Sequence, residues 1–88
     1  MWKLFFTKKA EKTFLKLDRS AQKRIKMKLD YFISSGDPIQ YAKKLVNPKI
    51  GTYRFRIWEY RVVFDIDEEW KLIILLVIDV RWQVYKDV

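Results

Sequence analysis

Cysteine and histidine are both absent from the 88 residues. Without cysteine there is no disulfide, no thiolate nucleophile and no thiolate metal site, which suits a reducing compartment. Without histidine, the commonest general base and the commonest transition-metal ligand are missing. Acid–base chemistry must then run on Arg, Lys, Tyr, Asp or Glu. The acidic residues are scattered along the chain, so neither a metal nor any other cofactor is expected. Long hydrophobic runs are lacking as well: the longest, residues 72–78, has seven members, against about 20 for a membrane-spanning helix. Residues 1–9 contain a short apolar stretch broken by Lys3 and show no small-residue cleavage pattern. A soluble, cytoplasmic protein is expected.

What is present is apolar and basic in comparable measure. Half of the residues are hydrophobic and 17% aromatic, enough for one core without staples, so residues 1–88 are read as a single domain. The net charge of +8 is unevenly spread. Residues 1–29 hold ten basic side chains against two acids, whereas residues 30–88 hold nine of each. The first third carries the whole excess, and such asymmetry points to a polyanionic partner. Nucleic acid is the first candidate. An anionic membrane surface is the weaker one, because the apolar stripe of the basic segment is expected to be covered by a sheet.

Periodicity sets out the elements. Residues 2–6 alternate as a short strand. Thr7 is a candidate N-cap for a helix with Ala10, Phe14 and Leu17 at helical spacing. Asp18 caps a longer helix whose Ala21, Ile25, Leu29, Phe32 and Ile33 form an apolar stripe. Ser34-Ser35-Gly36-Asp37-Pro38 ends it with turn chemistry. Residues 39–50 are ambiguous: a helical turn through Ala42-Lys43-Lys44-Leu45, then a turn at Asn47-Pro48. Gly51 opens a strand that Trp58-Glu59 turns back into residues 60–67. Residues 70–80 read as a long strand covered on both sides and central in its sheet. The order β-α-α-β-β-β predicts an α+β domain, an antiparallel helical hairpin on one face of a mainly antiparallel sheet of three to four strands. Trp2, Phe14, Phe32, Phe55, Phe64 and Trp70 fall at core positions. Tyr53, Trp58 and Trp82 flank the arginines, where they could pack or stack on a base.

Residues 53–64, Tyr-Arg-Phe-Arg-Ile-Trp-Glu-Tyr-Arg-Val-Val-Phe, carry most of the chemical information. Alternation puts Arg54 and Arg56 on one strand face, about 7 Å apart. Guanidinium groups at that spacing can grip neighbouring phosphate oxygens. The plainer reading has Arg54, Arg56 and Arg61 as solvent-facing residues paired with Glu59, Asp65 or Asp67.

The ordered set of Lys-rich hairpin, Gly36-Asp37-Pro38, Lys43-Lys44-Leu45, Gly51-x-Tyr-Arg-x-Arg-x-x-x-Tyr-Arg-Val-Val-Phe and Val80-Arg-Trp-Gln-Val-Tyr85 resembles the RelE/ParE superfamily of toxins. The resemblance implies the toxin of a toxin–antitoxin system, monomeric by itself and hetero-oligomeric with its cognate antitoxin. In the RelE branch it implies a ribosome-dependent mRNA endonuclease whose partners are ribosomal RNA and mRNA. Arg54, Arg56, Arg61, Arg81 and Tyr85 would then form the catalytic site. Lys8, Lys9, Lys12, Lys16, Lys23, Arg24, Lys26 and Lys28 would face RNA. The chain departs from the pattern in three places. Arg54 and Arg56 stand where lysines are frequent, Trp58-Glu59 replaces a common Gly-Asp, and Asp79-Val80 replaces Gly-His. The alternatives are a ParE-like inhibitor of DNA gyrase, or a catalytically degenerate RNA-binding member.

The implied reaction is metal-free. The substrate's 2′-OH attacks the adjacent phosphorus and expels the 5′-oxygen, leaving a 2′,3′-cyclic phosphate. Arginine donates to two phosphate oxygens at once and keeps its charge. Arg61 and Arg81 are assigned to the scissile phosphate, with Arg54 and Arg56 positioning the backbone or stabilising charge. Arginine is a poor base, which leaves Tyr85 to donate or relay a proton and Glu59 or Asp79 to accept one, if the fold brings either near.

Overall fold

The computed structural model describes residues 1–45 and 51–80. β1 (Lys3–Phe6) leads directly into α1 (Lys8–Leu15), and Thr7 makes the join. Its backbone is extended and its Oγ1 accepts the Ala10 N–H at 3.2 Å, satisfying a donor that the first helical turn leaves free. The same hydroxyl donates to the Leu75 carbonyl at 2.9 Å, tying the helix start to the sheet. Asp18 repeats the device for α2 (Arg19–Ser34), accepting the Ala21 N–H at 2.7 Å. Both caps stand where the sequence put them.

α2 buries a narrow stripe. Ala21, Ile25 and Leu29 are fully buried and Phe32 nearly so, while Ile33 packs at the margin. Four-residue spacing keeps these side chains on one face. Gly36, at φ +87°, takes the left-handed turn after the helix that a Cβ would disfavour. Pro38 then opens a short 3-10 turn, Pro38–Tyr41.

The strands that follow are β2 (Lys43–Lys44), β3 (Tyr53–Ile57), β4 (Tyr60–Asp67) and β5 (Leu72–Val80). They join β1 in one sheet of order β1-β5-β4-β3-β2. β1 runs parallel to β5 and the other pairings are antiparallel. The helices cover one face, where Phe55, Ile57, Val62, Phe64, Ile73 and Leu75 meet the α2 stripe. An aromatic column runs through this core: the ring centroids of Phe32 and Phe55 are 4.5 Å apart, and those of Phe55 and Phe64 are 4.3 Å apart.

The expected class is met, with four differences of detail. The sheet has five strands rather than three or four, because Lys43 and Lys44 pair with Arg54 and Tyr53 instead of forming a helical turn. The helical turn falls earlier, where Pro38 presets φ, and it stops at Ala42, whose backbone is extended. β5 is an interior strand, although β4 is the central one. One face of β5 is buried through Ile73, Leu75 and Ile78; on the other Val77 is buried while Ile74 and Leu76 are half-covered. Trp70 is 70% exposed and not core. It lies in the β4–β5 turn, where Asp67 Oδ1 accepts its N–H at 3.0 Å. The expected turn at Asn47-Pro48 lies outside the described residues.

Candidate functional site

Strand register decides which basic residues meet. Arg56 on β3 stands directly opposite Arg61 on β4, and Arg61 stands directly opposite Asp79 on β5. The neighbouring row is Lys43 on β2, Arg54 on β3, Val63 on β4 and Val77 on β5. Residues directly opposite in antiparallel strands share a face, with Cβ atoms about 4.5–5.5 Å apart. The intervening residues Phe55, Ile57, Val62 and Ile78 are core under the helices. Arg54, Arg56, Arg61, Lys43 and Asp79 therefore occupy the opposite face. Arg56 and Lys43 are exposed there, and Arg54, Arg61 and Asp79 are half-buried.

The hairpin that makes this row is tight. β3 and β4 are joined by Trp58 and Glu59 alone, and Trp58 has φ +59° at the position where such loops favour glycine. Arg24 of α2 lies over the Trp58 ring at 5.5 Å, bracing the tip from the helical side. On the arginine face the floor is apolar. Val63 is buried there, and Gly51 lies so close that an added Cβ would fall 2.5 Å from Val63 Cγ1.

The plain reading, with the arginines neutralised by nearby acids, does not hold for Arg56 and Arg61. Among the described residues, no carboxylate forms an ion pair with either. Asp65 Oδ1 instead accepts the Thr52 N–H at 2.7 Å, and Asp67 is used by Trp70. Arg56 and Arg61 are like charges in direct cross-strand register, an arrangement that costs stability unless an anion lies between them.

The helical residues form a second basic surface. Lys8, Lys9, Lys12, Lys16, Lys23, Arg24, Lys26 and Lys28 are all exposed on the helical layer, across the sheet from the arginine row. Besides Arg24, which lies over Trp58, two of them are partly engaged. Lys26 pairs with Asp30 at 2.8 Å, and Lys28 lies over the Tyr31 ring at 5.4 Å. The chain thus presents cations on both sides rather than in one patch. Arg81 and Tyr85, the other two expected site residues, lie outside the described residues, as does Trp82.

The tyrosines that are described belong to the helical side. Tyr53 stacks on Phe64, and Tyr60 is buried in the core. Burial pushes the Tyr60 hydroxyl above its ordinary value, with the nearby Glu59 and Asp18 charges adding to the rise. Tyr41 is raised chiefly by its hydrogen bond with Tyr31. Lys43 is the cation on the arginine face that sequence reasoning did not place there. Nothing local signals it, because β2 is only Lys43–Lys44 and exists through its pairing to β3.

No protein-family model matches the chain, and no curated protein sequence matches it. Solved structures do. A chain of the toxin–antitoxin complex RelBE2 from Mycobacterium tuberculosis is 25% identical, with a TM-score of 0.76 over 91% of this chain and 98% of that one. The intact E. coli RelBE toxin–antitoxin complex matches at 21% identity and TM-score 0.70, covering 89% and 94% of the two chains. The archaeal RelE–RelB complex from Pyrococcus horikoshii matches at 22% and 0.70, covering 91% and 94%. The RelE-like toxin fold expected from the residue pattern is the one this chain adopts.

Proposed function

We propose that this RelE-like chain is the toxin of a toxin–antitoxin pair and that it stops translation by cutting mRNA on the ribosome. The observation that carries the reading is the register pairing of Arg56 with Arg61, with Arg54 and Lys43 in the next row. A fold that sets two guanidinium groups face to face without a carboxylate between them gains most when a phosphodiester fills the gap. The likeness to chains of three toxin–antitoxin complexes supports the first half of the proposal.

The mechanism follows from what arginine can and cannot do. Arg61, with Arg81, holds the non-bridging oxygens of the scissile phosphate and stabilises the extra charge of the phosphorane-like transition state. Each such donor contributes about a hundred- to thousand-fold. Arg56 faces Arg61 across that phosphate and stabilises its charge, while Arg54 holds the flanking backbone so that the 2′-OH lies in line with the departing 5′-oxygen. Tyr85 donates or relays a proton. The lysines of α1 and α2 hold ribosomal RNA through contacts that are independent of sequence and weaken steeply with salt. Two basic surfaces on opposite sides of one sheet suit a protein wedged between ribosomal RNA and mRNA. An acidic antitoxin segment would neutralise the toxin by covering these cations.

Induction in cells tests the proposal. Wild-type protein should block protein synthesis and leave mRNA cut within codons, and Arg61→Ala should relieve both while the protein still accumulates. SOS induction with gyrase-linked DNA breaks and intact mRNA would overturn the nuclease reading in favour of gyrase inhibition. Neither effect would point to a degenerate RNA-binding member.

A further inference from the structure

We infer that Asp79 is the general base of this cleavage, an inference that rests on the RNA-cleaving reading of the arginine row. The chain contains no histidine, and arginine does not give up its proton at any working pH. The proton acceptor must come from another residue type on the same face as the arginines. Among the described residues, Lys43 shares the face but stands in the next row, opposite Arg54 and two strands from Arg61, and the other tyrosines and carboxylates are turned away or engaged elsewhere. Tyr53 and Tyr60 point into the helical side. Asp65 already accepts the Thr52 N–H, and Asp67 caps the β4–β5 turn. Glu59 stands in the hairpin turn, beyond the end of the row.

Asp79 differs from all of these. It is the direct register partner of Arg61, and its neighbour Ile78 is core, so Asp79 falls on the arginine face. It is half-buried and forms no ion pair with Arg61. The row therefore reads cation, cation, anion across three adjacent strands. A phosphate bridging Arg56 and Arg61 would bring the neighbouring ribose one strand spacing, about 4.8 Å, along the row toward Asp79.

In the step, the 2′-O–H bond breaks and its proton passes to an Asp79 Oδ atom. The freed electron pair forms the 2′-O–P bond. The P–O5′ bond breaks with its electron pair going to the 5′-oxygen, which takes the proton that Tyr85 donates or relays from solvent. The products are a 2′,3′-cyclic phosphate and a 5′-hydroxyl, and Asp79 returns its proton to solvent.

The experiment is single-turnover cleavage of mRNA on programmed ribosomes by the full-length protein. Asp79→Asn, nearly isosteric, should cut about 10²- to 10⁴-fold more slowly while co-sedimenting with ribosomes as well as wild type does. Asp79→Ala should be equally slow, and added formate should restore its cleavage at least tenfold in a concentration-dependent way, which a purely structural role would not allow. Circular dichroism and thermal melting of both variants establish that they fold. If Asp79→Asn cuts within about threefold of wild type, or formate restores nothing to Asp79→Ala, the base is not Asp79 and the assignment falls. If the wild-type protein itself does not cut, the parent reading fails first and takes this one with it.

Discussion

Replacing Arg56 by threonine should make the protein more stable and less active at once. Arg56 faces Arg61 directly across the β3–β4 pair. The Cβ atoms are held close, but long side chains let the charges splay to about 8 Å, where repulsion at a water-like dielectric is about 0.5 kcal/mol. Physiological salt, with a Debye length of about 8 Å, reduces this to about 0.2 kcal/mol. Threonine adds a few tenths from its better fit to a strand. The expected gain is about 0.3–1 kcal/mol, or about 1–6 °C in melting temperature for a chain of this size. A double-mutant cycle with Arg61→Thr isolates the repulsion, since strand propensity cancels between its two arms. The second substitution should stabilise by about 0.2–0.5 kcal/mol less than the first at low salt, and the coupling should vanish near 1 M salt. Cleavage should fall about a hundred- to thousand-fold in each single variant. Coupling of the opposite sign, or coupling indifferent to salt, would refute the idea that these cations are held together against their own repulsion.

Three further outcomes are expected. Phe55→Ala empties the middle of the aromatic column, and urea denaturation should register a loss of about 3–5 kcal/mol, a large part of the stability of a small domain. Gly51→Ala places a methyl 2.5 Å from Val63 Cγ1 and 2.9 Å from Leu76 Cδ1; it should cost about 1–3 kcal/mol and disturb cleavage more than Phe14→Leu does at equal stability. Tyr60 titrates above the ordinary tyrosine value of 10.0, so its neutral form is favoured in the folded chain. Its contribution is complete below that value and is lost as pH climbs through the raised one. Tyr60→Phe should flatten the fall in stability above about pH 10, and an unchanged slope would show that burial of this hydroxyl is not what shifts it.

The helical half was legible because its signals are local. Thr7 and Asp18 each precede an apolar period and carry a side-chain oxygen that can take only one useful partner, the third N–H of the following turn. The Arg54/Arg56 alternation was equally local and survives as a shared face. What could not be read was register. Nothing within residues 60–67 says that Arg61 faces Arg56 on one side and Asp79 on the other; the two-residue loop and the β4–β5 pairing decide it. The same holds for Lys43, whose two-residue strand exists through its pairing to β3. Trp70 failed for a different reason. An aromatic residue at the head of an apolar run looks like the first strand residue, yet Asp67 bends the chain there and leaves the ring in solvent.

The central claim is that fixed positive charge on the sheet face opposite the helices cuts RNA without a metal at the site. The most direct test is end-group mapping of mRNA from programmed ribosomes incubated with wild-type protein and with the Arg56→Ala/Arg61→Ala double variant. The account predicts upstream fragments ending in a 2′,3′-cyclic phosphate and downstream fragments beginning with a 5′-hydroxyl, both lost in the double variant while it remains bound to the ribosome. Fragments ending in a 3′-hydroxyl with a 5′-phosphate, or undiminished cutting by the double variant, would contradict it.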